Sequence, residues 1–216
     1  MTHIKLWGRA SSLNVQKVRW ALEELELDYT QVEVGGRHGG LDRPEYGILN
    51  PNRLVPTLQD GDVTVWESHA VLRYLAATYA SGLLWPVEPN ERAVVDQWTD
   101  WTATTFQPAW LGLFWNVVRV PVAEHNAELI AKSAAETRRV FRIMEQRLAK
   151  TPYLGGEQLT YADIAAGAAM YRYSTMPADR EDLPHVAAWH ARLEARKPFQ
   201  KAVCVSYEEM IGRTSF

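Results

Sequence analysis

The chain has 216 residues, of which 47% are hydrophobic and 23% charged, which excludes an intrinsically disordered protein and allows one large domain or two small ones. Its 23 Lys and Arg against 26 Asp and Glu give a net charge of −3, which argues against a protein that lives on nucleic-acid phosphates. A single cysteine, Cys204, excludes an internal disulfide framework, a zinc–cysteine cluster and a CxxC redox pair, and no stretch approaches the roughly 20 apolar residues of a membrane span.

In chain order, Met1 to Trp7 has one Lys and no apolar core, so no secretory leader is expected. Ile4-Lys5-Leu6-Trp7 reads as a short strand. From Val15 to Glu26, Val15, Val18, Leu22 and Leu25 recur at helical spacing, with Glu23, Glu24 and Glu26 on the other face. Tyr29 to Val34 alternates as a second strand, and Gly35 to Gly40 is a glycine-rich turn leading into a variable stretch to Asn50. Thr57–Gln59 and Val63–Val65 flank Asp60-Gly61-Asp62, a hairpin signal, and Ser68 opens a helix carrying Val71, Leu72 and Leu75. The order is strand, helix, strand, loop or helix, two strands, helix.

Gly82 to Asn90, with Pro86 and Pro89, reads as a linker, and everything after it is helical. Glu91 to Trp115 forms one long pattern with a bend expected at Pro108. Glu124 to Lys150 follows, then an Ala- and Gly-rich helix from Thr160 to Tyr173 suited to a buried central position. Pro184 to Arg196 and Pro198 to Val205 are shorter helices, each with Pro in its first turn. Cys204 is expected to be a buried hydrophobe on the last of these. The six histidines show no ligand spacing, so no metal site is expected. The Gly35–Gly40 stretch is neither a P-loop nor a dinucleotide fingerprint.

Three segments carry more. Leu49-Asn50-Pro51-Asn52-Arg53-Leu54-Val55-Pro56-Thr57 precedes the hairpin, and Trp66-Glu67-Ser68-His69 follows it. Gly8-Arg9-Ala10-Ser11-Ser12-Leu13-Asn14-Val15 joins the first strand to the first helix. Thr160-Tyr161-Ala162-Asp163-Ile164 is a capping box, with Leu159 and Ile164 as its hydrophobic staple. On local grounds Ser68 is an N-cap and Asn14 another, with Ser11 and Ser12 in the turn before it.

Together, in this order and over essentially the full length, these segments resemble the glutathione transferase superfamily, and the turn resembles that of its bacterial serine/asparagine-type members. The resemblance implies an α/β thioredoxin-like N-terminal domain at 1–81, a linker at 82–90 and an all-α helical bundle at 91–216. It implies a cytoplasmic, homodimeric detoxification enzyme that uses glutathione as co-substrate against a small apolar electrophile, with no nucleic-acid or membrane partner. Val55, before a cis-Pro56, would pair its backbone with the cysteinyl part of glutathione, while Glu67 and Ser68 would grip the γ-glutamyl end. Ser12 takes the place of the catalytic serine. Asn14 takes the place of an Asn found in members that reduce disulfides, and Ser11 supports the tripeptide.

Many members carry Gly and then a basic residue before Val-Pro. Here the pair is Arg53-Leu54, which shifts the basic side chain and leaves the glycyl carboxylate's partner open, Arg37 and His38 included. Asp100 would reach the γ-glutamyl amine bound by the other subunit. Phe106, Trp110 and Phe114, at helical spacing, would line the electrophile pocket, with Trp7 and Arg9 on its other side, although the same spacing also describes core packing.

The chemistry such a turn must perform is definite. A free thiol with a pKa near 8.5 is only roughly 3% thiolate at pH 7. Lowering it by about two units makes roughly three quarters thiolate, for about 2.7 kcal/mol of differential stabilisation. One donated hydroxyl and a helix N-terminus are of the right size to supply it. Two alternatives stay open: a glutathione-dependent disulfide or peroxide reductase, and a non-catalytic glutathione-binding module.

Overall fold

The computed structural model describes residues 3–80, 82 and 84–215. Ser81 and Leu83, at the expected domain boundary and in the linker, and Met1 and Thr2, in the segment read as lacking a leader, lie outside the described residues.

The N-terminal unit is a four-stranded sheet in the order β2-β1-β3-β4. β1 (Ile4–Trp7) buries Ile4 and Leu6 and leaves Lys5 exposed, as strand alternation requires. It pairs in parallel with β2 (Tyr29–Val32) and antiparallel with β3 (Thr57–Asp60), which pairs antiparallel with β4 (Val63–Trp66). Asp60 opposes Val63, so Gly61 and Asp62 form a two-residue loop, and Gly61 takes φ 58°. β2 stops at Val32, two residues short of the expected Val34.

Between β1 and β2, α1 (Leu13–Glu24) begins two residues earlier than its periodicity indicates. Ser12, in extended conformation at φ −78° and ψ 126°, is the N-cap, and Asn14 lies inside the first turn, which corrects the expected cap at Asn14. The expected exposed acidic face of α1 is also partly covered. Glu24 accepts both Arg196 (2.7 and 2.5 Å) and Trp20 Nε1 (2.8 Å), and Glu23 accepts Lys201 at 2.7 Å.

α2 (Pro44–Leu49) occupies the stretch left as loop or helix in the sequence reading. α3 (Ser68–Tyr79) starts at Ser68 itself. The cap position belongs to Glu67 at φ 70°, a second correction, since Ser68 was expected there.

The helical unit opens with α4 (Pro89–Trp101), so its first turn takes in the last two residues of the expected linker. α4 runs through a wide π turn at Thr102–Phe106 into α5 (Gln107–Phe114) and a second π turn at Trp115–Arg119. The first wide turn lies where Pro108 withholds the N–H that an α-helical ladder would aim at the carbonyl of Thr104. α6 (Ala127–Leu148) is capped by Asn126, whose Oδ1 accepts from the N–H groups of Glu128 (3.0 Å) and Leu129 (3.1 Å). The expected helix 160–173 is two pieces, α7 (Tyr161–Gly167) and α8 (Met170–Thr175). α9 (Pro184–Glu194) and α10 (Lys197–Val203) follow. Because α10 ends at Val203 and the chain turns away, Cys204 is exposed, contrary to the buried position expected.

Every residue of α7 is buried, and this helix joins the two units. It packs on α1, α3 and α4. Gly167 has no room for a side chain: an added Cβ would stand 2.6 Å from Leu193 Cδ1 and 3.0 Å from Trp20 Cζ3. Both neighbours are themselves fully buried. Gly167→Ala is therefore expected to lower stability by about 1–3 kcal/mol, outweighing the roughly 1 kcal/mol gained in helix propensity. A urea midpoint at or above wild type would contradict it.

Candidate functional site

The site is built where the β1–α1 turn, the loop before β3 and the start of α3 meet. Gly8, at φ 145°, lets the turn pass close to its neighbours; an added Cβ would lie 2.4 Å from Val15 Cγ2 and 3.2 Å from Val55 Cβ. The Val55–Pro56 bond is cis, as expected. Leu54 turns its side chain outward while its carbonyl accepts Tyr46 OH (2.6 Å) and Asn50 Nδ2 (2.9 Å). Arg53, at φ 54°, donates Nη1 to the carbonyls of Leu41 (2.8 Å) and Arg43 (3.1 Å). Its guanidinium closes the 41–53 loop.

Ser12 is half-buried at the head of α1, and its hydroxyl makes no capping bond. The first helical bond runs from Gln16 N–H to the Ser12 carbonyl at 2.9 Å. Ser11 is used differently: its hydroxyl donates to Glu209 Oε1, and its carbonyl accepts Arg172 Nη2. Ser68 is buried in the first turn of α3, beside Glu67.

Behind the turn lies a buried polar chain. Lys17 Nζ is 2.8 Å from His69 Nε2 and donates to Gln107 Oε1 at 2.6 Å, while Gln107 Nε2 reaches Asn14 Oδ1 at 3.5 Å. Burial brings the Lys17 ammonium down to about 7, against the opposing pull of Glu67. Burial and the neighbouring Lys17 hold His69 well below the usual imidazole range.

The other expected residues divide. Arg9 lines the same cleft as Ser11, about 560 Å³ in volume, together with Glu33, Arg37, His38 and the C-terminal residues Val205, Ser206, Glu208 and Glu209. Trp7 is elsewhere: its indole donates to Gln59 at 2.7 Å and lines a separate pocket with Tyr46 and Leu49. Phe106, Trp110 and Phe114 are 0%, 0% and 1% exposed, so these side chains offer no ligand surface as they stand. They pack behind the cleft, Phe106 on Phe141 (5.1 Å between rings) and Phe114 on Tyr207 (5.3 Å), which corrects their assignment to the pocket wall. Asp100 is exposed and accepts Arg73 Nη2 at 2.5 Å, and Asp96 accepts Arg73 Nε at 2.5 Å. Among the described residues there is no cluster able to hold a metal ion, and no helix is long and apolar enough to cross a membrane.

Sequence reasoning missed Lys17, Gln107, Arg172 and Glu209. His69 enters the sequence reading only as the residue that follows Ser68.

Comparison with known proteins agrees with this architecture. Residues 11–78 match the glutathione S-transferase N-terminal domain, and residues 101–197 match the C-terminal domain. The theta class glutathione S-transferase from Xanthomonas axonopodis pv. citri, solved with glutathione bound, superposes with a TM-score of 0.91 at 45% identity. That match covers 95% of this chain and 99% of the other. Glutathione S-transferase I from mais, in complex with an atrazine glutathione conjugate, gives a TM-score of 0.85 at 29% identity, covering 93% of this chain and 96% of that one. Glutathione S-transferase GstB of Escherichia coli strain K12 is 35% identical over 204 residues, 94% of this chain and 98% of that protein. With both domains matched in order and relatives aligned over nearly their whole length, the chain belongs to the glutathione S-transferase family.

Proposed function

We propose that the chain is a glutathione transferase in which Ser12 activates the sulfur of bound glutathione for attack on an electrophilic carbon. The observation that carries the role of Ser12 is its hydroxyl, which stands at the head of α1 and is not consumed by capping. It can therefore donate to a thiolate while the N-terminus of α1 adds its positive potential. Of the other polar groups of the turn, the Ser11 hydroxyl is engaged by Glu209, and Asn14, held through its Oδ1 by Gln107 Nε2, has only its Nδ2 donor to offer the sulfur. In this reading the Val55 backbone pairs with the cysteinyl part of the tripeptide. The γ-glutamyl carboxylate lies against Ser68 and the N-terminus of α3, and Glu67 faces the ammonium.

The protein pairs as a homodimer, and Asp100, exposed on α4, is directed at the partner's glutathione. We place it in the cytoplasm, where reduced thiols persist and a lone exposed Cys204 is tolerated, as a detoxification enzyme.

In the reaction the sulfur lone pair forms the S–C bond, the leaving group departs with the electron pair, and the thiol proton passes to water. The test is the thiolate absorbance of the glutathione complex against pH. Ser12→Ala is expected to raise the bound-thiol pKa by about one to two units, equivalent to about 1.4–2.7 kcal/mol, and to cut turnover of a chloronitroaromatic by roughly 10–100-fold at neutral pH. If Ser12→Ala titrates like wild type while Asn14→Ala shifts upward, the serine assignment is wrong. Turnover of hydroxyethyl disulfide in preference to the chloronitroaromatic would then favour the reductase reading.

A further inference from the structure

The cleft over Ser11 is lined with charge, Arg9, Glu33, Arg37, Glu208 and Glu209 among its residues. Arg172 meets this turn from α8: it is 3% exposed, donates Nη2 to the Ser11 carbonyl, lies 5.5 Å from the Phe114 ring and leaves Nε without a partner. Arg9 lines the same cleft, and Arg119 sits close behind on the Trp115 ring at 4.5 Å. Burial first, and the repulsion of Arg9 second, hold Arg119 below its ordinary value and bring Arg172 down to about 10. Such a cluster is costly unless a counter-charge sits in it.

The counter-charge comes from the far end of the chain. Glu209 accepts the Ser11 hydroxyl, lies 3.6 Å from Arg37 Nε and supports the charges of Arg9 and Arg172. It is delivered by a segment anchored through Tyr207, whose ring packs on Phe114 and whose hydroxyl meets Thr175 at 3.0 Å. Gly212 N–H on the Val118 carbonyl (2.9 Å) anchors the segment further along. The protein thus already seats a carboxylate next to the turn that bears Ser12.

We propose that the second substrate of this enzyme is an electrophile bearing a carboxylate, which Arg9, Arg37 and Arg172 hold in place of Glu209. The inference rests on the transferase reading of the same site. It adds a positive anchor for the electrophile, orienting its reactive carbon toward the sulfur, and makes Glu209 a built-in competitor that the substrate displaces. Guanidinium groups favour this ligand because they match a carboxylate bidentately and stay charged when partly desolvated.

The test compares two electrophiles of nearly equal shape, 4-(chloromethyl)benzoate and 4-(chloromethyl)benzamide. In each the glutathione sulfur bonds to the benzylic carbon, chloride leaves with the electron pair and the thiol proton goes to water. The quantity read is the ratio of kcat/KM, carboxylate over amide. Wild type is expected to favour the carboxylate, Glu209→Gln to raise the ratio by roughly fivefold or more, and Arg9→Gln to bring it to about one. Arg9, partly exposed, is the variant of choice because the buried Arg172 also holds the turn.

A ratio at or below one in both wild type and Glu209→Gln overturns the anion site. If the amide and a chloronitroaromatic are still turned over, the transferase reading survives that result. If no electrophile is turned over and immobilised glutathione does not retain the protein, both readings fall.

Discussion

Replacing Asp163 with alanine is expected to destabilise the protein by about 4 kcal/mol, the largest single-site effect on stability anticipated from this structure. Asp163 is fully buried on α7. Its Oδ1 accepts the Leu154 N–H at 2.8 Å and Trp189 Nε1 at 3.0 Å, and its Oδ2 accepts the Thr160 N–H at 2.9 Å and the Thr160 hydroxyl at 3.0 Å. Alanine leaves four donors without an acceptor where water has little access, and each orphaned donor costs about 1–3 kcal/mol, part of which relaxation recovers. Three separate segments lose their common anchor at once: the loop before α7, the α7 cap and α9. For a chain of this size the melting temperature should fall by roughly 8–16 °C. Asn is also expected to destabilise, since its amide must turn an N–H toward one pair of donors. An Asp163→Ala melt within about 2 °C of wild type would show that the carboxylate is not the anchor described.

The second large effect is a loss of stability on acidification, governed by Lys17 and His69. An ammonium donating to His69 Nε2 requires that nitrogen as acceptor, so the folded ring is neutral. The unfolded ring takes up a proton as pH falls through about 6.5, and the folded one does not. Well below that value the unfolded state binds one more proton, and stability declines by about 1.4 kcal/mol per pH unit, about 2 kcal/mol in all between pH 6.5 and 4.5. Lys17 acts in the same direction at higher pH. Its folded value is about 7 against an ordinary value near 10.4, so stability falls as pH drops through that window and Lys17 adds no slope below it. Urea midpoints across pH should show His69→Gln flattening the acid limb and Lys17→Met flattening the alkaline one. If either variant keeps the wild-type slope in its own window, that assignment fails.

What could be read from the sequence follows the range of the interactions. β1, the β3–β4 hairpin, α3 and α6 were visible because their burial repeats at strand or helix period within a few residues. The capping box and the Glu67-Ser68 pair were visible for the same reason. α2 was left open because six residues with an exposed Ile48 carry too little period to decide. The head of α1 was misplaced because Ser12 caps with its backbone alone, leaving no side-chain signature. Periodicity marked Phe106, Trp110 and Phe114 as one inward face, but it cannot say whether that face meets core or ligand. The Arg172–Ser11 and Glu209–Ser11 contacts join residues 161 and 198 positions apart, and only the folded chain brings them together.

The way Ser11 is held bears on how such chains can be recombined. Its carbonyl is fixed from α8 and its hydroxyl from the C-terminal segment, while Asn14 is met from α5. The turn belongs by sequence to the sheet domain, but it is held in shape by the helical one. A chimera joining this sheet domain to a foreign helical partner would inherit Ser11, Ser12 and Asn14 without the template that sets them. The two halves are therefore constrained to diverge together, and a new specificity would be reached by coordinated change in both rather than by exchanging modules.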